Sequence, residues 1–329
     1  MTNVFFFLGE GDYNRVKDLT HIEGFVLHHP QLVWIWTTYF RLKQKGLNVT
    51  LICRMPEEGI VVISTVNLLL LQKPSDKVFL ITTLADSPPP LYTQINVSQN
   101  PLQSRNYPSL LRFPVWRHIS HCPQPGIIPR CKSRGSRFEK IGFMGHRDQL
   151  EPYLSSEEFA NELRKLDLTF EVREDQFHDY SDFDTVLAIR DFANLTQLHK
   201  PYTKLINGWQ AGVPVIAGTE TSFQAIKKSE LDFISVANKN DLIKALQKLK
   251  EDANLRAAMT KNGFQRAVDF TEKKILSDWE QLLFTDAQNL YREWRQKSAL
   301  HKQMFYMEIF FSRSLRSMKN KLKLRLQKA

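Results

Sequence analysis

The sequence predicts an α/β protein of two domains, each built on a mostly parallel sheet. Three observations carry this expectation. Short apolar strand patterns alternate with helical ones along most of the chain, the order that produces parallel strands joined by crossover helices. The 329 residues are enough for two α/β domains of ordinary size. A hydrophobic content of 42% and an aromatic content of 11% are globular values, so packed cores are expected.

Val4 to Leu8 reads as the first buried strand, ending in Gly9-Glu10-Gly11-Asp12. A loop holding His21, Glu23, His28 and His29 leads to a helix near 31–45, which Gly46 stops. Val49 to Cys53 and Gly59 to Ser64 are strands, and Val66 to Leu71 is a buried stretch. Val78 to Thr82 is a strand running into Ala85, Asp86 and three prolines. Ligands of parallel sheets sit at the carboxyl ends of the strands, so the loops after 8, 53, 64 and 84 face the binding side. Residues 100–137 are rich in proline, arginine and aromatics without a clear period. They complete the first domain and supply the linker, which places a boundary at 136/137.

The second domain, 137–287, opens with a strand from Lys140 into a glycine turn that holds Gly142 and Gly145. Ser156 caps a helix over 157–165, Leu168 to Val172 is a strand, and 179–184 is an acidic loop. Thr185 to Ile189 is a strand ending at Arg190. Further on, Thr219 to Ser222 is a polar turn that starts a helix at Phe223. A helix over 241–249 is capped by Asn240 or Asp241, and 252–268 and 271–284 are helical.

Between those parts lies the stretch around which this domain is organised, from Leu198 through His199 and Lys200 to Gly218. Pro201 suits a first helical position. Leu205 and Trp209 share a face, Gly212 is a left-handed stop, and Val213 to Ala217 is an all-apolar strand. Gly208 breaks the helix pattern, which signals that something approaches the backbone there. Lys200 and Lys204 sit one turn apart at a helix start, where unpaired N–H groups and the helix dipole favour an anion. A diphosphate fits that space; the bland alternative is two solvated lysines on a surface helix.

The lysine-proline pair, then Lys204-Leu205-Ile206-Asn207 and Ala211-Gly212-Val213-Pro214-Val215-Ile216, resembles the donor-site pattern of GT-B glycosyltransferases of the family 1/4 kind. The resemblance runs from about residue 30 to 285 and is clearest at 185–226. The segment His121 to Arg130 is similar to the interdomain stretch of bacterial members. It implies two Rossmann-like domains facing across a cleft, with a nucleotide sugar held by the second. For such a donor Arg190, Lys200 and Lys204, with the backbone amides from Thr203, are the candidates for the diphosphate, and Asn207 and Glu220 for the ribose; Gly142 and Gly145 either let the backbone approach phosphate or sugar or form a plain turn. Many retaining members carry two glutamates eight positions apart here; this chain has His199 and Asn207, which leaves retention or inversion open.

Glycosyl transfer needs help for the leaving diphosphate and for the acceptor hydroxyl. Cations and backbone amides meet the first need without a metal or other cofactor, and Arg190 is the sharpest candidate. Its alternative is a surface ion pair with Asp191 or Glu174. The second need points to a base on the first domain, with Asp86 and His28 as candidates. Two rivals stay open: a nucleotide-sugar epimerase on the same fold, and a catalytically silent nucleotide-sugar-binding or scaffold protein.

The net charge of +10 is uneven, since 11 Lys or Arg stand against 2 Glu from Tyr291 onward. The tail, 288–329, reads as a basic amphipathic helical extension, with Phe311, Leu315, Met318, Leu322 and Leu326 at helical spacing. It fits an anionic membrane surface through 304–328 or a helix packed across the domains, and it argues against nucleic acid as partner. Cys53, Cys122 and Cys131 form no C-x-x-C pair, and with His118 and His121 they match no standard zinc spacing. Without a signal peptide or an apolar run of membrane-spanning length, a cytoplasmic protein is expected, peripheral on the inner face of the membrane only if the tail binds there and does not pack on the domains. Its partners are then a nucleotide-sugar donor and a glycan or lipid-linked acceptor.

Overall fold

The computed structural model describes residues 2–22, 24, 29, 31–69, 71, 74–90, 92–107, 112–192, 199–307 and 310. The chain forms two compact units. The first comprises Met1–Ser98, Ser104–Ile119 and Leu276–Ala329, and the second Gln99–Gln103 and Ser120–Ile275.

In the first unit β1 (Val4–Phe7) leads into α1 (Glu10–Val16), and a wide turn at Leu32–Trp36 runs into α2 (Thr37–Gln44). Then come β2 (Val49–Ile52), β3 (Gly59–Ser64), α3 (Thr65–Leu69), β4 (Val78–Thr83), β5 (Ile95–Ser98) and β6 (Val115–His118). The six strands form one sheet in the order β2-β1-β3-β4-β5-β6, parallel throughout. Every residue of β3 and β4 is buried, which is why these central strands read as apolar runs up to Ser64 and to Thr82. Val66, expected to be buried, is 45% exposed, because α3 turns Leu68 inward instead.

In the second unit the elements are β7 (Lys140–Met144), α4 (Glu157–Lys165), β8 (Thr169–Arg173), β9 (Thr185–Ala188), α5 (Thr203–Ala211) and β10 (Val215–Ala217). They continue with α6 (Thr221–Ile226), β11 (Ile234–Ser235), α7 (Lys239–Glu251) and α8 (Ala253–Ala267). The parallel sheet has the order β11-β10-β9-β7-β8. Ser156 Oγ accepts from the Phe159 amide at 3.2 Å and caps α4 as expected. The cap of α7 is Asn238, whose Oδ1 accepts from the Asp241 amide at 3.0 Å, rather than Asn240 or Asp241.

Residues 120–136 hydrogen-bond into the second unit, which draws its start back from 137. Ile128 N donates to His178 O at 2.8 Å, and Arg130 N to Ala211 O at 2.9 Å. Arg130 and Arg134 both reach the Asp184 carboxylate, whose side chain is 1% exposed. The same carboxylate accepts from the amides of Glu139 and Lys140 at 2.8 and 3.0 Å. Burial pushes its carboxyl up, but Arg134, those two amides and Arg130 together hold it below the ordinary aspartate value.

The boundary at 275/276 falls inside α9 (Glu272–Gln281), and the chain then continues in the first unit through α10 (Ala287–Gln296). Tyr291 Oη donates to Lys77 O at 3.1 Å and Trp294 Nε1 to Asp76 O at 3.2 Å. Trp294 is fully buried, its ring 5.4 Å from Phe113. The start of the expected tail is thus part of the first unit's core. The basic stripe from Phe311 to Leu326 lies outside the described residues.

Candidate functional site

The second unit gathers its cations where β7, β9 and β10 end. Lys204, in the first turn of α5, donates from Nζ to the Met144 carbonyl and lies 4.1 Å from the centre of the Phe143 ring. Gly145 makes this possible. A Cβ there would stand 2.7 Å from the Lys204 ammonium, and its φ of +155° disfavours any side chain.

Arg190, just past β9, donates from Nη1 to Glu220 Oε2 at 2.5 Å, with the two side chains 8% and 1% exposed. It pairs with neither Asp191 nor Glu174 there; Glu174 lies 3.3 Å from Arg147 instead. Glu220 precedes α6, and its Oε1 is buried without a hydrogen-bond partner, as is Ser222 Oγ. Thr203 is the first residue of α5. Tyr202 before it gives no side-chain cap, so the first-turn amides are not closed off by a side chain at that position. Helix α5 therefore starts two residues after Pro201, which is not its first residue.

The electrostatics gather more positive than negative charge at this place. Among the described residues, Arg190, Lys200 and Lys204 surround the one carboxylate of Glu220. Burial, then repulsion by Arg190 and Lys200, push the Lys204 ammonium well below its ordinary value, against the attraction of Glu220. Burial raises the Glu220 carboxyl, opposed by Arg190 and the two lysines. An added diphosphate would reverse the penalty on Lys204.

Other expected site residues do different work. Gly142 sits inside β7, where a Cβ would meet the Phe183 ring at 2.8 Å, so its missing side chain makes room for Phe183 and not for a ligand. Asn207 is 7% exposed; its Oδ1 accepts from the Gln124 amide at 3.2 Å, and the side chain also hydrogen-bonds the Tyr180 hydroxyl. It pins the 120–136 segment rather than opening toward a ribose. His199 pairs through Nδ1 with Gln103 Nε2 at 2.8 Å. Asp86 is exposed at the carboxyl end of β4, in the first unit. His28 lies outside the described residues, while its neighbour His29 stands 3.4 Å from Asp12. The sequence marks Ser222 only as the last residue of the polar turn Thr219 to Ser222. The described residues hold no cluster of three His, Cys, Asp or Glu that could bind a metal.

No family model matches the sequence, and no curated protein is significantly similar to it. Solved structures are similar in fold. The crystal structure of TarM is 10% identical, with a TM-score of 0.51 over 75% of this chain and 57% of that one. A substituted Staphylococcus aureus TarM, in complex with Fondaparinux, alpha-GlcNAc-glycerol and UDP, gives 11% and 0.52 over 75% and 58%. The architecture is GT-B. This GT-B chain spans less than two thirds of the TarM chain it matches. Anabaena HepE, in complex with UDP and glucose, is 11% identical with a TM-score of 0.49, covering 87% of this chain and all of its own.

Proposed function

We propose that this GT-B chain is a glycosyltransferase that moves a sugar from a nucleoside-diphosphate sugar to a polysaccharide or lipid-linked acceptor. One observation carries the reading: among the described residues three cations, Arg190, Lys200 and Lys204, gather around the single buried carboxylate of Glu220 at the strand ends, where burial and the other two cations hold Lys204 well below its ordinary pKa. The UDP in the TarM complex fits a nucleoside diphosphate as the group these cations hold.

In this reading Arg190, Lys200, Lys204 and the α5 first-turn amides take up charge as the diphosphate leaves. Contacts that strengthen as the bond breaks lower the barrier directly, with no metal in the step. The free Glu220 Oε1 and Ser222 Oγ accept hydroxyl protons of the ribose or sugar. Asp86, exposed at a strand's carboxyl end, takes the acceptor proton. The site works in a cytoplasmic protein whose acceptor lies at the inner membrane surface. No helix of the described residues is long and apolar enough to cross a membrane.

The test is a thermal-shift series with UDP, GDP, dTDP, ADP and CMP on the native chain and on Lys204→Ala and Arg190→Ala. Ligand at about a hundredfold its Kd adds roughly 2.7 kcal/mol to the native chain. Loss of that shift in both variants supports the donor site, and absence of any shift overturns it. The Asn207 and His199 positions, which lack the retaining members' carboxylates, favour a silent nucleotide-sugar-binding protein as second reading. That protein binds nucleotide but neither hydrolyses nor transfers any donor.

A further inference from the structure

The second unit holds a cavity at the opposite strand ends from the donor cluster. Asp184 and Pro214, which line it, immediately precede β9 and β10, whereas Arg190 and Glu220 follow those strands. Its volume is about 580 Å³, within the roughly 300–1,000 Å³ of small-ligand sites. One face of α8 supplies a wall, since Arg256, Ala257, Thr260, Lys261 and Phe264 recur at three- and four-residue steps. Arg130 and Arg137 line it from the chain before β7, and all of these residues belong to the second unit.

Four cations of the lining meet one carboxylate, and that carboxylate is already taken. Asp184 is held by Arg130, Arg134 and the amides of Glu139 and Lys140. Arg137 donates to the Ser133 and Arg134 carbonyls, and Arg256 to those of Leu249, Lys250 and Ser136. Neither arginine, nor Lys261, forms an ion pair among the described residues. Burial, then repulsion by Arg130, push the Arg256 guanidinium below its ordinary value, against the attraction of Asp184 and Asp252. A bound phosphate would offset that repulsion, and guanidinium groups grip phosphate oxygens through charge-assisted hydrogen bonds. Phe264, 49% exposed, gives the lining an apolar part together with Ala257 and Pro214. An exposed ring near cations suits the stacking of a flat aromatic group. We propose that the cavity is a second ligand site, which takes an organic phosphate with an aromatic body, the size of a mononucleotide. This site lies beyond the donor reading and uses none of the donor cluster's residues.

The experiment is calorimetric titration of adenosine monophosphate into the full chain carrying Lys204→Ala, which removes the donor cluster's central cation. This variant is expected to bind the monophosphate at a single site. Arg137→Gln with Lys261→Gln, both at exposed positions, is expected to weaken that binding by about tenfold or more with an unchanged unfolding midpoint. Phe264→Ser is expected to weaken it by about fivefold or more, through loss of stacking. No binding in the Lys204→Ala chain overturns the proposal, as does binding that Arg137→Gln with Lys261→Gln leaves intact. Binding that Phe264→Ser leaves intact overturns the aromatic body of the ligand. A UDP-induced thermal shift lost in Lys204→Ala and kept in Arg137→Gln with Lys261→Gln reports the donor cluster alone. Either site can therefore fail its test while the other stands.

Discussion

The Arg190 guanidinium and the Glu220 carboxylate meet at 2.5 Å with almost no solvent around either. A buried pair of this kind contributes little net stability, yet removing one partner leaves the other charged and unpaired. Lys200 and Lys204 remain near Glu220, which places the loss for Arg190→Ala at about 3 kcal/mol, the low end for a broken buried pair. Arg190→Ala with Glu220→Gln should recover most of it. Urea denaturation of both variants measures this, and equal losses would show that the pair is not coupled.

Lys204 predicts the pH dependence of nucleotide binding. Its ammonium is pushed well below 10.5 by burial and by Arg190. A bound diphosphate restores the charge, so the complex holds more protons than the free protein between the depressed value and 10.5. Binding therefore takes up a proton in that window, and affinity falls as pH rises through it. Calorimetry in buffers of different ionisation enthalpy should detect the uptake. In Lys204→Met the slope should flatten; an unchanged slope would assign the proton to another group.

Asp86 predicts a loss confined to chemistry. It is exposed, and it belongs to the first unit while the cation cluster belongs to the second. Asp86→Asn should lower kcat by about a hundredfold or more, as expected for removal of a general base. Nucleotide affinity and the unfolding midpoint should stay as they are. Full activity in this variant would remove Asp86 from the mechanism and turn attention to the His28–His29 loop.

The sequence displays the parallel strands β3, β4, β9 and β10 as apolar runs, because burial on both faces leaves only Ser64, Thr82, Thr83 and Thr185 as polar residues, all at strand ends. It hides β5 and β6, whose Ile-Asn-Val-Ser and Val-Trp-Arg-His patterns sit inside a proline-rich stretch. The site is legible to the same degree. Lys204 and Arg190 follow from a helix start and a strand end, which are local features. That Arg190 would pair with Glu220, thirty positions on, depends on two neighbouring strands ending together. Gly142, Gly145 and Gly208 look alike in a sequence, and only the packed neighbour tells them apart. For Gly208 that neighbour is Val215 of the adjoining strand, 2.5 Å from where a Cβ would stand. Gly208→Ala gains about 1 kcal/mol of helix propensity. Overpacking costs about 1–3 kcal/mol, so the net change should be destabilising. A higher midpoint in urea would show that α5 can lift from the sheet.

Asp184 predicts where acid opens the second unit. Its carboxylate joins Arg130 and Arg134 to the Glu139 and Lys140 amides, so it fastens the 120–136 segment to β7 and β9. Its pKa is lower in the folded chain than the ordinary 3.8, so between those two values the unfolded chain binds more protons. The stability it contributes is full above 3.8 and is lost as pH falls through the folded value. Asp184→Asn should remove that acid-dependent step and cost about 3–5 kcal/mol at neutral pH, because two guanidiniums lose their buried partner. Hydrogen exchange read at the Glu139 and Lys140 amides locates the effect: protection there should drop first in acid, and in the variant it should be lost already at neutral pH. Protection that survives the substitution would mean that backbone pairing alone holds the segment.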